Sequence, residues 1–113
     1  MALFYDIVQE NVLRKVRVQY RDLIYRIHAR RSMFTRSISD ECVEYILQSG
    51  EVIEDYPDAF PFPAKLLFGW YNGRAIHVVA ASNHSKRQVI VITVYEPTLD
   101  KWESDLRTRR KHP

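Results

Sequence analysis

Apolar residues recur at steps of three and four along the first quarter of the chain: Ile7, Val8, Val12, Leu13, Val16, Tyr20, Leu23, Ile24 and Ile27. That is the period of one face of an α-helix. The spacing predicts a long helix over 7–27, with Val16 and Val18 allowing a short extended break. His28 to Arg36 reads as a second helix. Ser39 stands three residues before Cys42, an N-cap without the glutamate of a full capping box. Asp40 and Glu41 then fall in the first turn of a third helix, where carboxylates suit the helix dipole. Val43, Ile46 and Leu47 supply its apolar stripe and Gly50 its stop.

After Gly50 the period shortens to two. Glu51 to Tyr56 alternates as a half-buried strand does, and Pro57 ends it. Pro61 and Pro63 mark a loop. Lys65–Tyr71 and Arg74–Ala81 are predicted strands joined by Asn72-Gly73, a pair suited to a tight hairpin because both turn positions need positive φ. Gln88–Tyr95, β-branched at most positions, is predicted as a central strand reached through the polar loop 82–87. Pro97 stops it, and a short helix near Leu99–Leu106 leads into Arg107, Arg109, Arg110 and Lys111. The expected fold is α+β, with N-terminal helices packed on an antiparallel sheet of about four strands and a short C-terminal helix.

Strand pairing brings side chains from distant positions together. A two-residue turn at Asn72-Gly73 sets Phe68 opposite His77, with Leu66, Phe68, Trp70, His77 and Val79 on one face and Leu67, Ile76 and Val78 on the other. A second hairpin centred near Ser85 would place Thr93 opposite His77, Tyr95 diagonal to it on the same face, and Ile90, Ile92 and Val94 on the face covered by helices. A slip of one residue reverses that assignment.

The chain of 113 residues, 46% apolar and 27% charged, fits one globular domain over 1–113, with a basic tail at 107–113. No apolar run approaches the roughly 18 to 20 residues of a membrane span, and the first residues lack the pattern of a signal peptide, so the expected address is the cytoplasm. Cys42 is the only cysteine; it is expected as a small buried residue in a reducing compartment. The net charge of +3 hides a pattern: residues 1–36 carry +5, residues 37–63 carry −7 with no basic side chain, and residues 64–113 carry +5. Two basic segments around an acidic one suggest a positive surface for a polyanion, with the acidic stretch turned elsewhere; a mixed solvated surface is the plainer alternative.

Four histidines and one cysteine show no close metal-ligand spacing, and the three glycines are isolated, so neither a metal site nor a phosphate-cradling loop is indicated and no cofactor is expected. What remains is a set of His, Arg and Tyr side chains. Cleaving RNA without metal needs a base for the ribose 2′-OH, a cation for the phosphorane-like transition state and an acid for the leaving oxygen. His28 and His77 are candidates for proton transfer, Arg31 and Arg36 for gripping phosphate, and Tyr95 for donating a proton or orienting the phosphate. Phe68 and Trp70 are candidate stacking surfaces for bases, with Thr93 beside them. Each has a structural alternative: His77 as a hydrogen-bonded core residue, His28 as a helix cap, the arginines as a solvated face, the aromatics as core, and the basic tail as a solubilising end. His84 and His112 fall outside the set.

His28-Ala29-Arg30-Arg31, Arg36-Ser37-Ile38-Ser39, the run Gly50 to Tyr56, Gly73 to Val79 and the run Val91 to Pro97 together resemble a family of small bacterial proteins catalogued only as a domain of unknown function, over roughly residues 20 to 105. That family is similar, more distantly, to the RelE-like and MqsR-like messenger-RNA interferases. The resemblance implies a microbial-ribonuclease-like fold and a toxin role, with RNA, in some cases ribosome-associated, as substrate and a protein antitoxin, often of zinc-finger type, as partner. His28, Arg31, Arg36, His77, Thr93 and Tyr95 lie in the matching segments; the first 19 or so residues lie outside them, and Lys65 is only a weak counterpart of the interferases' catalytic lysine. Three readings follow: a toxin-like endoribonuclease, a non-catalytic module binding protein or RNA through the same face, and a phosphate-handling hydrolase.

Overall fold

The computed structural model describes residues 20–111. Most of the predicted first helix, with His112 at the other end, lies outside the described residues. Where that helix was to end, Asp22–Tyr25 is instead a short strand, β1, pairing parallel with the last strand. Leu23 and Tyr25 pack toward the core while Asp22 and Ile24 are exposed. The local spacing of apolar residues fits both periods here, and an available edge on the sheet decides between them.

Helix α1 spans Ile27–Arg36 and α2 spans Asp40–Ser49. Ser39 caps α2 as its sequence indicates, its hydroxyl accepting from the Cys42 amide at 3.1 Å. Ser37, at φ 55, turns the chain between the helices. Gly50 ends α2, though not in a left-handed conformation: a Cβ there would meet the Ile46 carbonyl oxygen at 2.6 Å, so glycine is required by close approach.

Strands β2 (Glu51–Tyr56), β3 (Ala64–Tyr71), β4 (Arg74–Asn83) and β5 (Gln88–Tyr95) complete a mixed five-stranded sheet in the order β1-β5-β4-β3-β2. The predicted sheet of about four antiparallel strands is thus enlarged by the parallel edge of β1. The hairpin at Asn72-Gly73 has both residues at positive φ, 52 and 77, and its register pairs Phe68 with His77. Ala29, Met33, Val43, Ile46 and Leu47 from the helices pack on Leu67, Ile76, Val78, Val89, Val91 and Val94. Ile90 and Ile92 lie on the other face, contrary to the expected assignment, with Ala64, Ala81 and Phe62.

No helix forms over 99–106. The segment after β5 instead makes turns, starting with Trp102 N–H to Thr98 O at 3.0 Å and closing with a bridge between Trp102 and Arg109. Asp105 holds the second turn by accepting from the amides of Arg107 and Thr108. Trp102 is buried against the sheet face that the helices leave open. No described helix is long and apolar enough to cross a membrane.

Because Gly73 must hold φ 77, Gly73→Val is expected to destabilise the fold by about 1–2 kcal/mol through the steric penalty on a branched side chain in that region. Urea denaturation measures it; an unchanged midpoint would mean the hairpin relaxes to another turn.

Candidate functional site

Two β-bulges decide which side chains share the face opposite the helices. In β2 the register shifts between Val52 and Glu54. Strict alternation would keep Val52, Glu54 and Tyr56 together, but the extra residue, Ile53, breaks the parity. Val52 packs with the helices and Tyr56 in the cluster on the other side. In the β4–β5 ladder the shift falls between Val79 and Ala80, whose partners are Thr93 and Val91, so Ile92 is the extra residue. Val89 and Val91 face the helices, yet Tyr95 stands directly opposite His77 on the far face. Bulges of this kind re-aim side chains.

His77 is fully buried. Its Nε2 lies 2.8 Å from the Leu106 carbonyl oxygen and its Nδ1 3.1 Å from the Tyr95 hydroxyl. A carbonyl only accepts, so Nε2 carries the proton; the neutral ring's Nδ1 then accepts from Tyr95. Burial pushes the imidazole below its ordinary range, opposed by the Leu106 carbonyl. Phe68, Tyr95 and Trp102 surround the ring, with centroids 5.3, 5.1 and 4.6 Å away. Leu106 presents its carbonyl from a left-handed conformation, φ 60, which a leucine adopts only at some cost.

Beside Tyr95 lies a cluster built from β2 and the C-terminal segment. Arg109 donates to both Glu54 oxygens, Nε to Oε2 at 2.9 Å and Nη2 to Oε1 at 3.1 Å, and Tyr56 also donates to Glu54. The Arg109 guanidinium lies 4.7 Å over the Trp102 ring. Burial pushes the Tyr95 hydroxyl up to about 12, with Arg109 pulling it down and Tyr56 and Glu54 adding to the rise; Tyr56 is also raised by burial. Both hydroxyls therefore stay protonated at neutral pH. Next to the cluster opens a cleft of about 430 Å³, lined among others by Arg36, Tyr95, Lys101, Trp102 and Arg109. Arg74 fixes the Arg36 end of α1 there, donating to the carbonyls of Arg36 and Ser37 and pairing with Glu96. Among the described residues, Arg36 and Lys101 have no carboxylate within ion-pairing distance.

The fold thus joins Arg36, His77 and Tyr95, with Phe68 against the His77 ring and Thr93 on the same face, opposite Val79. It does not join His28 and Arg31 to them. Both are exposed on α1, and His28 is eight residues from Arg36, about 12 Å along the axis. The helix packs on one face of the sheet and the His77 ring lies on the other, so the two histidines do not converge. Trp70 is 55% exposed, beyond Phe68 on the same face. Lys65 pairs with Asp55 at 2.7 Å.

Sequence reasoning missed Glu54, Tyr56, Trp102 and Arg109. Glu54 and Tyr56 read as an ordinary alternating strand and Arg109 as part of a solubilising tail. The charge pattern carries the signal, with the sense opposite to that expected: the acidic middle segment is not turned away from the basic ends but pairs with them, Glu51 with Arg107, Glu54 with Arg109, Asp55 with Lys65 and Asp40 with Arg30. Among the described residues no three His, Cys, Asp or Glu side chains gather as metal ligands.

A family model described as a domain of unknown function, DUF4258, matches residues 25–96. No curated protein and no solved structure matches the chain.

A histidine whose folded pKa is depressed binds its proton more readily in the unfolded chain, so its contribution is present above the unfolded value near 6.5 and is lost as pH falls through the folded value. The urea midpoint is expected to drop between about pH 7 and pH 5. His77→Phe should be less stable at neutral pH by about 1–3 kcal/mol, since the Leu106 carbonyl and Tyr95 hydroxyl lose a partner, and should show a flatter profile across that range. Parallel profiles would place the pH sensitivity in another group.

Proposed function

The chain belongs to the DUF4258 family of domains of unknown function, and for this member we propose a metal-independent endoribonuclease of the toxin type, neutralised by a cognate antitoxin protein. The observation that carries this reading is the convergence of a carboxylate, a guanidinium and a phenol, Glu54, Arg109 and Tyr95, beside a cleft that also holds Arg36. Those groups can fill the three roles of 2′-OH attack on a phosphodiester: a base, a cation and an acid.

In this mechanism Glu54 takes the 2′-OH proton as the 2′-oxygen bonds to phosphorus. Arg109 moves from Glu54 onto the phosphorane oxygens, with Arg36 gripping the phosphate from the cleft wall. As the bond from phosphorus to the 5′-oxygen breaks, Tyr95 swings its single O–H from His77 Nδ1 to that oxygen and gives it the proton, leaving a 2′,3′-cyclic phosphate. His77 is a positioning residue: its Nδ1 sets the Tyr95 hydroxyl, and it does not itself meet substrate. The likeness to RelE-like and MqsR-like interferases, and a zinc-finger antitoxin as the partner, belong to this proposal as its expected setting. Fold alone would not fix the activity.

A second reading, a non-catalytic protein- or RNA-binding module, is favoured by one observation: Glu54 and Arg109 satisfy each other, and both His77 nitrogens have partners within the chain. Incubating the protein with mixed-sequence RNA in excess EDTA separates the two. Fragments with 2′,3′-cyclic phosphate ends are expected, with rates reduced roughly 100-fold or more by Glu54→Gln and by Tyr95→Phe and changed by less than about twofold by His28→Ala. RNA left intact by the wild-type protein, with and without ribosomes, would remove the enzyme reading and leave the binding module.

A further inference from the structure

On the same sheet, beyond Phe68, a second cleft of about 400 Å³ lies between α2 and the outer edge of β3, lined by Tyr45, Ser49, Glu51, Trp70 and Arg107 among others. Tyr45 and Trp70 are about half exposed, at 51% and 55%. They come from opposite sides of the sheet. Tyr45 rises from α2 and touches Tyr71, which packs with the helix-side core. Trp70 stands beside Phe68 on the far face, and Arg107 covers the Phe68 ring at 4.8 Å.

The backbone between these two aromatics is open. Tyr71 pairs with Arg74 across the two-residue turn and Gly69 with Ile76, so the intervening Trp70 directs its N–H and C=O away from β4. β2 would receive them, but its pairing begins at Glu51 opposite Phe68. No described backbone or side-chain group bonds to the Trp70 amide or carbonyl. One residue lining the cleft thus offers an adjacent donor and acceptor along the edge of β3, with Tyr45 coming from the helix side and the Trp70 ring on the far face.

We propose that this cleft is a nucleobase-binding subsite: the base edge pairs with the Trp70 N–H and C=O, Tyr45 and Trp70 cover its two faces, and Arg107 meets an adjoining phosphate. The proposal rests on the reading of RNA as the ligand and specifies which part of RNA the site holds. Every base presents an adjacent donor and acceptor on its pairing edge, and a single extended residue matches that spacing. The same edge suits a peptide strand poorly, because the turn at Asn72-Gly73 leaves only Trp70 unpaired and strand addition needs several successive residues. Position fits as well. From Trp70 the face runs roughly 7 Å along β3 to Phe68 and then crosses two strand spacings of about 5 Å each, through His77 to Tyr95, so a base held at Trp70 belongs to a nucleotide about two positions along the strand from a phosphate at Tyr95. Arg107 is paired with Glu51 at 2.7 Å, both side chains nearly half exposed, a contact weak enough in water to be exchanged for phosphate.

The test follows the Trp70 amide and indole NMR signals of the full chain during titration with each of the four ribonucleoside 3′-monophosphates, with ribose 5-phosphate as a probe lacking a base. Nucleotides are expected to move both signals while ribose phosphate does not, and Trp70→Ala or Tyr45→Ala should weaken nucleotide binding roughly tenfold. Both positions are half exposed, so the variants are expected to fold. Equal shifts with ribose phosphate, or unchanged affinity in both variants, would overturn the subsite. So would an extended peptide that moves the Trp70 amide where nucleotides do not. Base binding by a protein that leaves RNA uncut keeps the subsite and removes the nuclease; cleavage with no nucleotide-induced shift at Trp70 keeps the nuclease and removes the subsite.

Discussion

A buried imidazole must find partners for two nitrogens, and His77 finds them in separate parts of the chain. Tyr95 at the end of β5 supplies the hydroxyl and Leu106 in the C-terminal segment supplies the carbonyl. The ring therefore ties the central strands to a segment with no regular structure of its own. Trp102 seals the contact by packing edge-on against the same ring. Leaving either nitrogen unsatisfied at full burial would cost about as much as a substantial share of a small domain's stability. That constraint holds the strained Leu106 turn in place and brings Arg109 to the sheet.

Charge then locks the same arrangement from outside. Arg107 and Arg109 reach back to Glu51 and Glu54 on the edge strand, so the basic end of the chain is spent largely on its acidic middle. Individually such exposed pairs contribute little. The Glu54–Arg109 pair differs because Glu54 is only 20% exposed and Arg109 grips it with two hydrogen bonds while stacking on Trp102. A carboxylate, a guanidinium and two phenols of raised pKa thus share one partly desolvated place.

Helix α2 with its Ser39 cap, the strand boundaries after Gly50 and the Asn72-Gly73 hairpin with its register were legible in the sequence, because each follows from interactions within a few residues: capping, turn conformation and side-chain alternation. From that register came the contact of Phe68 with His77, while Arg36, His77 and Tyr95 stood out by residue type, and Thr93 was expected opposite His77 where Tyr95 stands. The sequence also marked Trp70 as an aromatic on the His77 face.

Tertiary structure decided the rest. Asp22–Tyr25 became a strand because β5 offered it an edge, which apolar spacing cannot reveal. Glu54, Tyr56 and Tyr95 reached the His77 face through single extra residues at Ile53 and Ile92. A bulge leaves almost no mark on composition yet reverses every later side chain in its strand. His28 was set apart because helix and imidazole lie on opposite sides of the sheet, a separation no linear motif records. Residues 97–111 looked like a helix and a tail when read alone; the buried nitrogen of His77 and the carboxylates of β2, both distant in sequence, gave them their shape.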